Sequence, residues 1–216
     1  MKLTAALAWY DEPTTHLERC VSSLAGLVDE LVALDGRFDP FPGTHVRSPQ
    51  HQADHLDETA LAHGITIVTA APLHAWRSQI TKRTALLELV TIRGADWILV
   101  IDADEHIAHA DTQHVRQALE HTNLDVAELT LRNVTSHDHI GVPQSRRRIF
   151  RAGTTVTDWH NGYTLDGRAL AGDPPLEPAL DLKRHLRIDH RQRARSPERN
   201  AAATTYRHAR ARTGER

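Results

Sequence analysis

The sequence predicts an α/β fold built on one mostly parallel sheet with helices on both faces, and three observations carry that expectation. Apolar runs of strand length alternate with amphipathic stretches of helix length through the first hundred residues. The runs are short and nearly unbroken, as strands buried on both faces are. Polar or acidic residues follow three of them, at Trp9–Glu12, Asp35 and Asp102–Asp104. In such sheets the ligand crevice lies outside the carboxyl ends of the strands.

Taken in order, Leu3–Trp9 reads as the first strand. Thr15 and Glu18 form a capping box for a helix whose Leu17, Cys20, Val21, Leu24 and Leu27 share one face. Glu30–Leu34 is the second strand, ending at Asp35-Gly36, and Arg37–Pro49 is too rich in proline and glycine for regular structure. A helix over His51–His63, stopped by Gly64, leads to a strand at Ile65–Thr69. Gln79–Ile92 is a strong third helix with Ile80, Leu86, Leu87 and Val90 apolar; Gly94 breaks it before the strand Trp97–Ile101.

The second half is less regular. Thr112–His121 reads as a helix, and Val126–Leu131 and Arg146–Arg151 as strands. Residues 161–181, with three glycines and three prolines, read as a loop that could lie over an acceptor. Ser196 as N-cap and Pro197 at the first helical position start a last helix through about Arg212. The chain therefore divides into a nucleotide-binding half (1–110), a second half of the same domain (111–195) and a basic C-terminal helix or tail (196–216).

At 216 residues the chain is long enough to bury a sizeable core, and no apolar run is long enough to span a bilayer. Asp11 and Glu12 stand where a signal peptide would need small residues. The lone Cys20 excludes an internal disulfide and fits a reducing cytoplasm. Net charge is −2 but unevenly spread: residues 183–216 carry 11 Lys+Arg against 3 Asp+Glu, the rest 15 against 25. The 16 histidines are scattered and read mostly as surface.

Chemistry concentrates in Trp97-Ile-Leu-Val-Ile-Asp-Ala-Asp-Glu105. Two carboxylates one residue apart at the exit of a buried strand reach one hard cation, Mg²⁺ or Mn²⁺, and that cation can neutralise a diphosphate. Arg83 is placed to grip a diphosphate with two nitrogens. Tyr10 and Glu12, after the first strand, can pack on or accept from a base, although Tyr10 is equally a packing residue. Trp9 and Trp97 belong to the core.

The segments Gln79–Leu86 and Gly94–Glu105 together resemble the family 2 glycosyltransferases of GT-A (Rossmann-like) fold, in the bacterial branch whose metal motif reads Asp-Ala-Asp-Glu. The resemblance covers residues 1–110 and fades beyond. It implies transfer of a sugar from a nucleoside-diphosphate sugar to an acceptor: a glycan, a lipid-linked glycan, a protein or a nucleic acid. It makes Asp104 the cation ligand and puts Asp102 at the metal shell or the ribose. Asp35 becomes the base or ribose contact, with a plain loop aspartate as the alternative. Glu105 would orient the metal site, and His190, ahead of His160, would complete it as a late histidine. The Glu-Asp pair that supplies the base in many inverting members is not found. Asp158, Asp166, Asp173 and Glu177 are the nearby carboxylates, and Asp158 stands as the candidate. Oligomeric state and stereochemical outcome stay open.

Three other readings compete. The arginine-rich tail suits nucleic acid, which retention at about 150 mM salt would reveal. His137-Asp138-His139 with Asp102 and Asp104 suggests a metal phosphohydrolase, but no further histidine spacing supports a two-metal site. A nucleotidyltransferase would need a glycine-rich basic loop where Asp11–Thr14 stands.

Overall fold

The computed structural model describes residues 1–39, 41, 45–134, 140–158, 162–172, 177–191, 201 and 204–205, the Asp158 side chain aside. Of the sequence-predicted C-terminal helix only residues 201 and 204–205 are described, and they are helical; His137–His139 and His160 lie outside the described residues.

The elements run β1 (Leu3–Ala8), α1 (Thr14–Ser22), β2 (Glu30–Leu34), α2 (Gln50–Ala62), β3 (Thr66–Ala70), α3 (Gln79–Ile92), β4 (Trp97–Asp102), β5 (Glu105–Ala110) and α4 (Thr112–His121). Then come β6 (Val126–Asn133), β7 (Gln144–Arg151), β8 (Thr155–Asp158), β9 (Gly162–Leu165), β10 (Arg168–Ala171), β11 (Leu180–Asp181) and β12 (Leu186–His190). The main sheet has the order β3-β2-β1-β4-β7-β6-β12-β5, with β11 beside β6.

That sheet is mixed, which corrects the expectation of a mostly parallel one. β3, β2, β1 and β4 are parallel, but β7 runs antiparallel between β4 and β6, and β5 antiparallel to β12. The second half lacks the long helical crossovers that keep strands parallel, so the chain returns by direct reversal.

The sheet must also curl. Four strand spacings separate β4 from β5, about 19 Å if flat. The turn Ala103–Asp104 that joins them spans about 10 Å at most. Closing the far edge back over the first helix satisfies both: the Ile107 amide donates to the Ser23 hydroxyl at 2.9 Å, just past α1.

One face of the sheet packs on α1, α2 and α4 through Leu17, Val21, Leu56, Ala60, Val115 and Leu119. On the other face lie α3 (Leu86, Leu87, Val90) and a small sheet β10-β9-β8 (Val156, Tyr163, Leu170). Helices therefore cover both faces, as the alternation implied. Glu30 is buried at the start of β2 and accepts from Arg93 at 2.5 Å, with Lys2 Nζ at 3.0 Å.

Two local expectations fail. α1 opens on Thr14 after Pro13 with no side-chain cap, so Thr15 is already inside the helix and its hydroxyl cannot cap it. The capping box belongs to α3, where Ser78 and Thr81 exchange side-chain and backbone hydrogen bonds. Within the stretch read as loop, β9 and β10 form a hairpin. Asp166 and Gly167 turn it with φ of 48° and 77°, the two left-handed residues a tight hairpin requires.

Candidate active site

The tips of β1, β2 and β4 meet at the carboxyl end of the parallel half. Gly36, at φ 109°, lets the chain leave β2 against Pro72; a Cβ there would stand 2.6 Å from Pro72 Cγ and 2.9 Å from Trp76 Nε1. Lys82, buried on α3, donates to the carbonyls of Trp9 at 2.6 Å and Gly36 at 2.7 Å, and so ties the exits of β1 and β2 together. Nothing in the sequence reading assigned Lys82 this task, although it is one of only three lysines in the chain.

Asp35 is buried, and both its oxygens accept from Ser48, Oδ2 from the amide at 2.8 Å and Oδ1 from the hydroxyl at 2.5 Å. It thereby fixes the segment 45–49 that lines, with Leu73, an open cleft of about 530 Å³, a volume in the range of small-molecule sites. Tyr10 donates from its hydroxyl to the His45 carbonyl at 2.8 Å, and its ring meets Phe41 edge-on. Glu12 is buried, with its Oε2 4.0 Å from His16 Nδ1. Tyr10 and Asp35 thus reach the cleft through the loop they hold.

Around β4 the side chains form a chain of charges. Arg83 donates to Asp102 Oδ1 at 2.6 Å and to the Tyr163 hydroxyl at 3.3 Å. Glu105 accepts the Asp102 amide at 3.0 Å on one oxygen and Arg148 at 2.7 Å on the other; Arg148 is also 3.7 Å from Asp102. Burial works against the Arg83 charge, but Asp102, then Tyr163 and Glu105, outweigh it and hold the guanidinium above its ordinary value. Burial pushes the Glu105 carboxyl up, and Arg148 pulls it partly back.

Asp104 and His190 meet across the curled sheet, Oδ2 to Nε2 at 3.1 Å, and the Arg191 amide donates to the Asp104 carbonyl at 2.9 Å. This contact exists because His190 is in register with Glu105 on β5 and with Asn133 on β6. The other ring nitrogen of His190 lies 3.0 Å from Asn133 Oδ1, so the imidazole is held at both nitrogens, and Nε2 would present a lone pair to a cation once its proton is displaced. Burial would lower the His190 pKa, but the hydrogen bond and charge of Asp104 outweigh it and raise the value.

These donors fit a divalent cation. Two ligand atoms about 3 Å apart, with bonds near 2.1 Å, is the spacing of adjacent positions on one ion. The sequence-predicted residues thus fall into linked groups: Asp104 with His190, Asp102 with Arg83 and Glu105, and Asp35 and Tyr10 on the cleft loop. Asp158 closes β8, with its side chain outside the described residues. Sequence reasoning missed Lys82, Arg148, Ser48, Asn133 and Tyr163. Of these only Arg148 carried a signal, as the buried member of a basic strand whose neighbouring Arg146 is exposed.

Neither any protein-family model nor any curated protein matches the sequence. Among solved structures, residues 1–349 of S. aureus TarS, a glycosyltransferase, match with a TM-score of 0.50 at 16% identity, over 71% of this chain and 48% of that one. The same TarS segment in complex with UDP matches with a TM-score of 0.49 at 16% identity, over 71% and 47%. The chain therefore spans about half the length of these structures. What it shares with the first of them is a fold of glycosyltransferase type.

Proposed function

We propose that this protein is a metal-dependent glycosyltransferase that moves a sugar from a nucleoside-diphosphate sugar to an acceptor. The carrying observation is the meeting of Asp104 with His190 beside the Arg83–Asp102 pair, at the tips of β1, β2 and β4. The Asp104 and His190 side chains are 1% and 20% exposed and Asp102 29%, at the carboxyl ends of the strands, where a diphosphate with its cation is best held.

Asp104 and His190 hold the cation, Mn²⁺ or Mg²⁺, and the imidazole favours the former. Bound there, it stabilises the charge that builds on the leaving diphosphate. Asp102, held by Arg83 and with its own amide on Glu105, accepts from the ribose; among the described residues it does not converge with Asp104 and His190 as a three-ligand group. Arg83 keeps a permanent positive charge beside the phosphates. The cleft beside the Asp35–Ser48 latch takes the nucleoside; Tyr10 holds its His45 wall, and Glu12 follows two residues on. Asp158 is assigned as the base for the acceptor hydroxyl. With no bilayer-length helix among the described residues and one buried thiol, we place the enzyme in the cytoplasm.

Thermal shift with UDP, GDP, CDP and dTDP, each with and without Mn²⁺, tests this reading. One diphosphate at about 100 times its Kd should add about 2.7 kcal/mol, a rise of roughly 5–10 °C for a chain this size, and only with metal. Asp104→Asn should fold and lose that rise. If no diphosphate shifts wild type, or Asp104→Asn responds as wild type does, the assignment fails.

A further inference from the structure

At the opposite end of the β5–β12 ladder from His190, Asp111, His114 and His185 come together, each with a ligand atom within 4.8 Å of the others. We propose that these three side chains form a surface binding site for a zinc-class divalent transition metal, separate from the Asp104–His190 pair.

The argument starts from the frame. Asp111 is the N-cap of α4 and accepts the His114 amide on Oδ1 at 3.2 Å; its own amide donates to the His185 carbonyl at 2.8 Å. The backbones that carry the three ligands are therefore pinned to one another without any metal. Asp111 Oδ2 lies 3.5 Å from His185 Nδ1. The two imidazoles stack with centroids 3.6 Å apart and 15° between planes.

The three ligand atoms lie close enough to converge on one ion once the stacked rings turn, because a zinc–nitrogen bond lies in the plane of its imidazole. Two zinc–nitrogen bonds of about 2.0–2.1 Å at a tetrahedral angle put their nitrogens about 3.3 Å apart. Two imidazoles and one carboxylate are borderline donors that prefer Zn²⁺ to Mg²⁺. The Asp111 and His185 side chains are 49% and 33% exposed, so water can take the fourth position. A cation here would clamp α4 to the start of β12, where Leu186 pairs with Ala110.

The test uses EDTA-treated full-length protein titrated with ZnCl₂ by calorimetry, with Co²⁺ absorption as a second readout. We expect wild type to bind Zn²⁺, and His114→Gln and His185→Gln each to bind at least tenfold more weakly. His190→Gln should keep this affinity. Zn²⁺ should raise the Tm of wild type and of His190→Gln by more than it raises that of the two cluster variants, which keep the Asp104–His190 pair. Melting curves in EDTA check the fold, and His114, exposed on α4, gives the reading if His185→Gln is unstable. The proposal is overturned if wild type binds no Zn²⁺, if both cluster variants bind as wild type, or if His190→Gln alone abolishes binding.

Discussion

Replacing Arg148 by Met should cost this protein far more than an ordinary surface arginine, and the structure sets the size. The Arg148 and Glu105 side chains are 9% and 1% exposed and joined at 2.7 Å, so removing the guanidinium strands a carboxylate in the interior. Breaking a buried pair in this way costs about 3–5 kcal/mol. The second contact, 3.7 Å to a 29% exposed Asp102, adds little, about 0–1 kcal/mol. For a chain of this length the loss lowers Tm by about 10 °C. Glu105→Gln keeps an oxygen for the Asp102 amide, so Arg148→Met/Glu105→Gln should recover about 2 kcal/mol of the single-variant loss. Urea unfolding of wild type, both singles and the double closes the cycle. A coupling energy below about 0.5 kcal/mol would mean that the two residues act independently, and the charge chain under β4 would not be the unit described here.

Three further outcomes follow from other contacts. Arg83→Ala should weaken nucleoside-diphosphate binding by more than it weakens nucleoside binding in equilibrium dialysis; equal losses would remove its phosphate role. Gly36→Ala should destabilise by about 1–3 kcal/mol, because it adds a left-handed alanine and a contact with Pro72 at 2.6 Å; an unchanged urea midpoint would contradict this. Burial raises the Glu30 carboxyl, but Arg93 and Lys2 outweigh it and hold it below its ordinary value. Its stabilisation is therefore complete above the unfolded carboxylate pKa and lost as pH falls through the lower folded one. Urea midpoints of wild type and Glu30→Gln should differ at about pH 7 and converge at about pH 3; a constant gap would rule that linkage out.

The first four strands and their helices were legible because β1, β2 and β4 bury almost every residue, and half-buried β3 still carries the β-branched run Thr66–Thr69 between a glycine stop and a loop. α3 and α4 fall on the expected residues, and β4 extends only to Asp102. What escaped notice was weakly patterned. In β5 only Ile107 and two alanines are apolar, and its place at the curled edge depends on pairing with β12, more than 70 residues away in sequence. The β9–β10 hairpin, by contrast, carried a usable signal. Leu165-Asp-Gly-Arg168 is a two-residue turn between short strands, and glycine density in that region was read as looseness when it marked reversals.

The site shows the same division between local and assembled information. Asp102, Asp104 and Arg83 could be named from sequence because they lie on or beside the most strongly patterned elements, one helix and the strand after it. His190 could be named as a residue type but not as a neighbour, since its 3.1 Å contact with Asp104 exists only once β12 joins β6 and the sheet closes over α1. Lys82, Ser48 and Asn133 act through partners distant in sequence: backbone carbonyls, a carboxylate and an imidazole. No local pattern encodes such pairings. On the proposed assignment, a cation held by residues from both ends of the curled sheet would tie donor binding to closure of the far edge. Loosening β5 from β12 should separate Asp104 from His190 without altering either residue. A proline at Ile107 removes the amide that ties β5 to Ser23 and puts a rigid ring into the strand paired with β12, which loosens the edge from both. It should abolish the metal-dependent thermal shift while the far-UV circular dichroism stays close to that of wild type; a shift of wild-type size would show that the edge strands do not set the site.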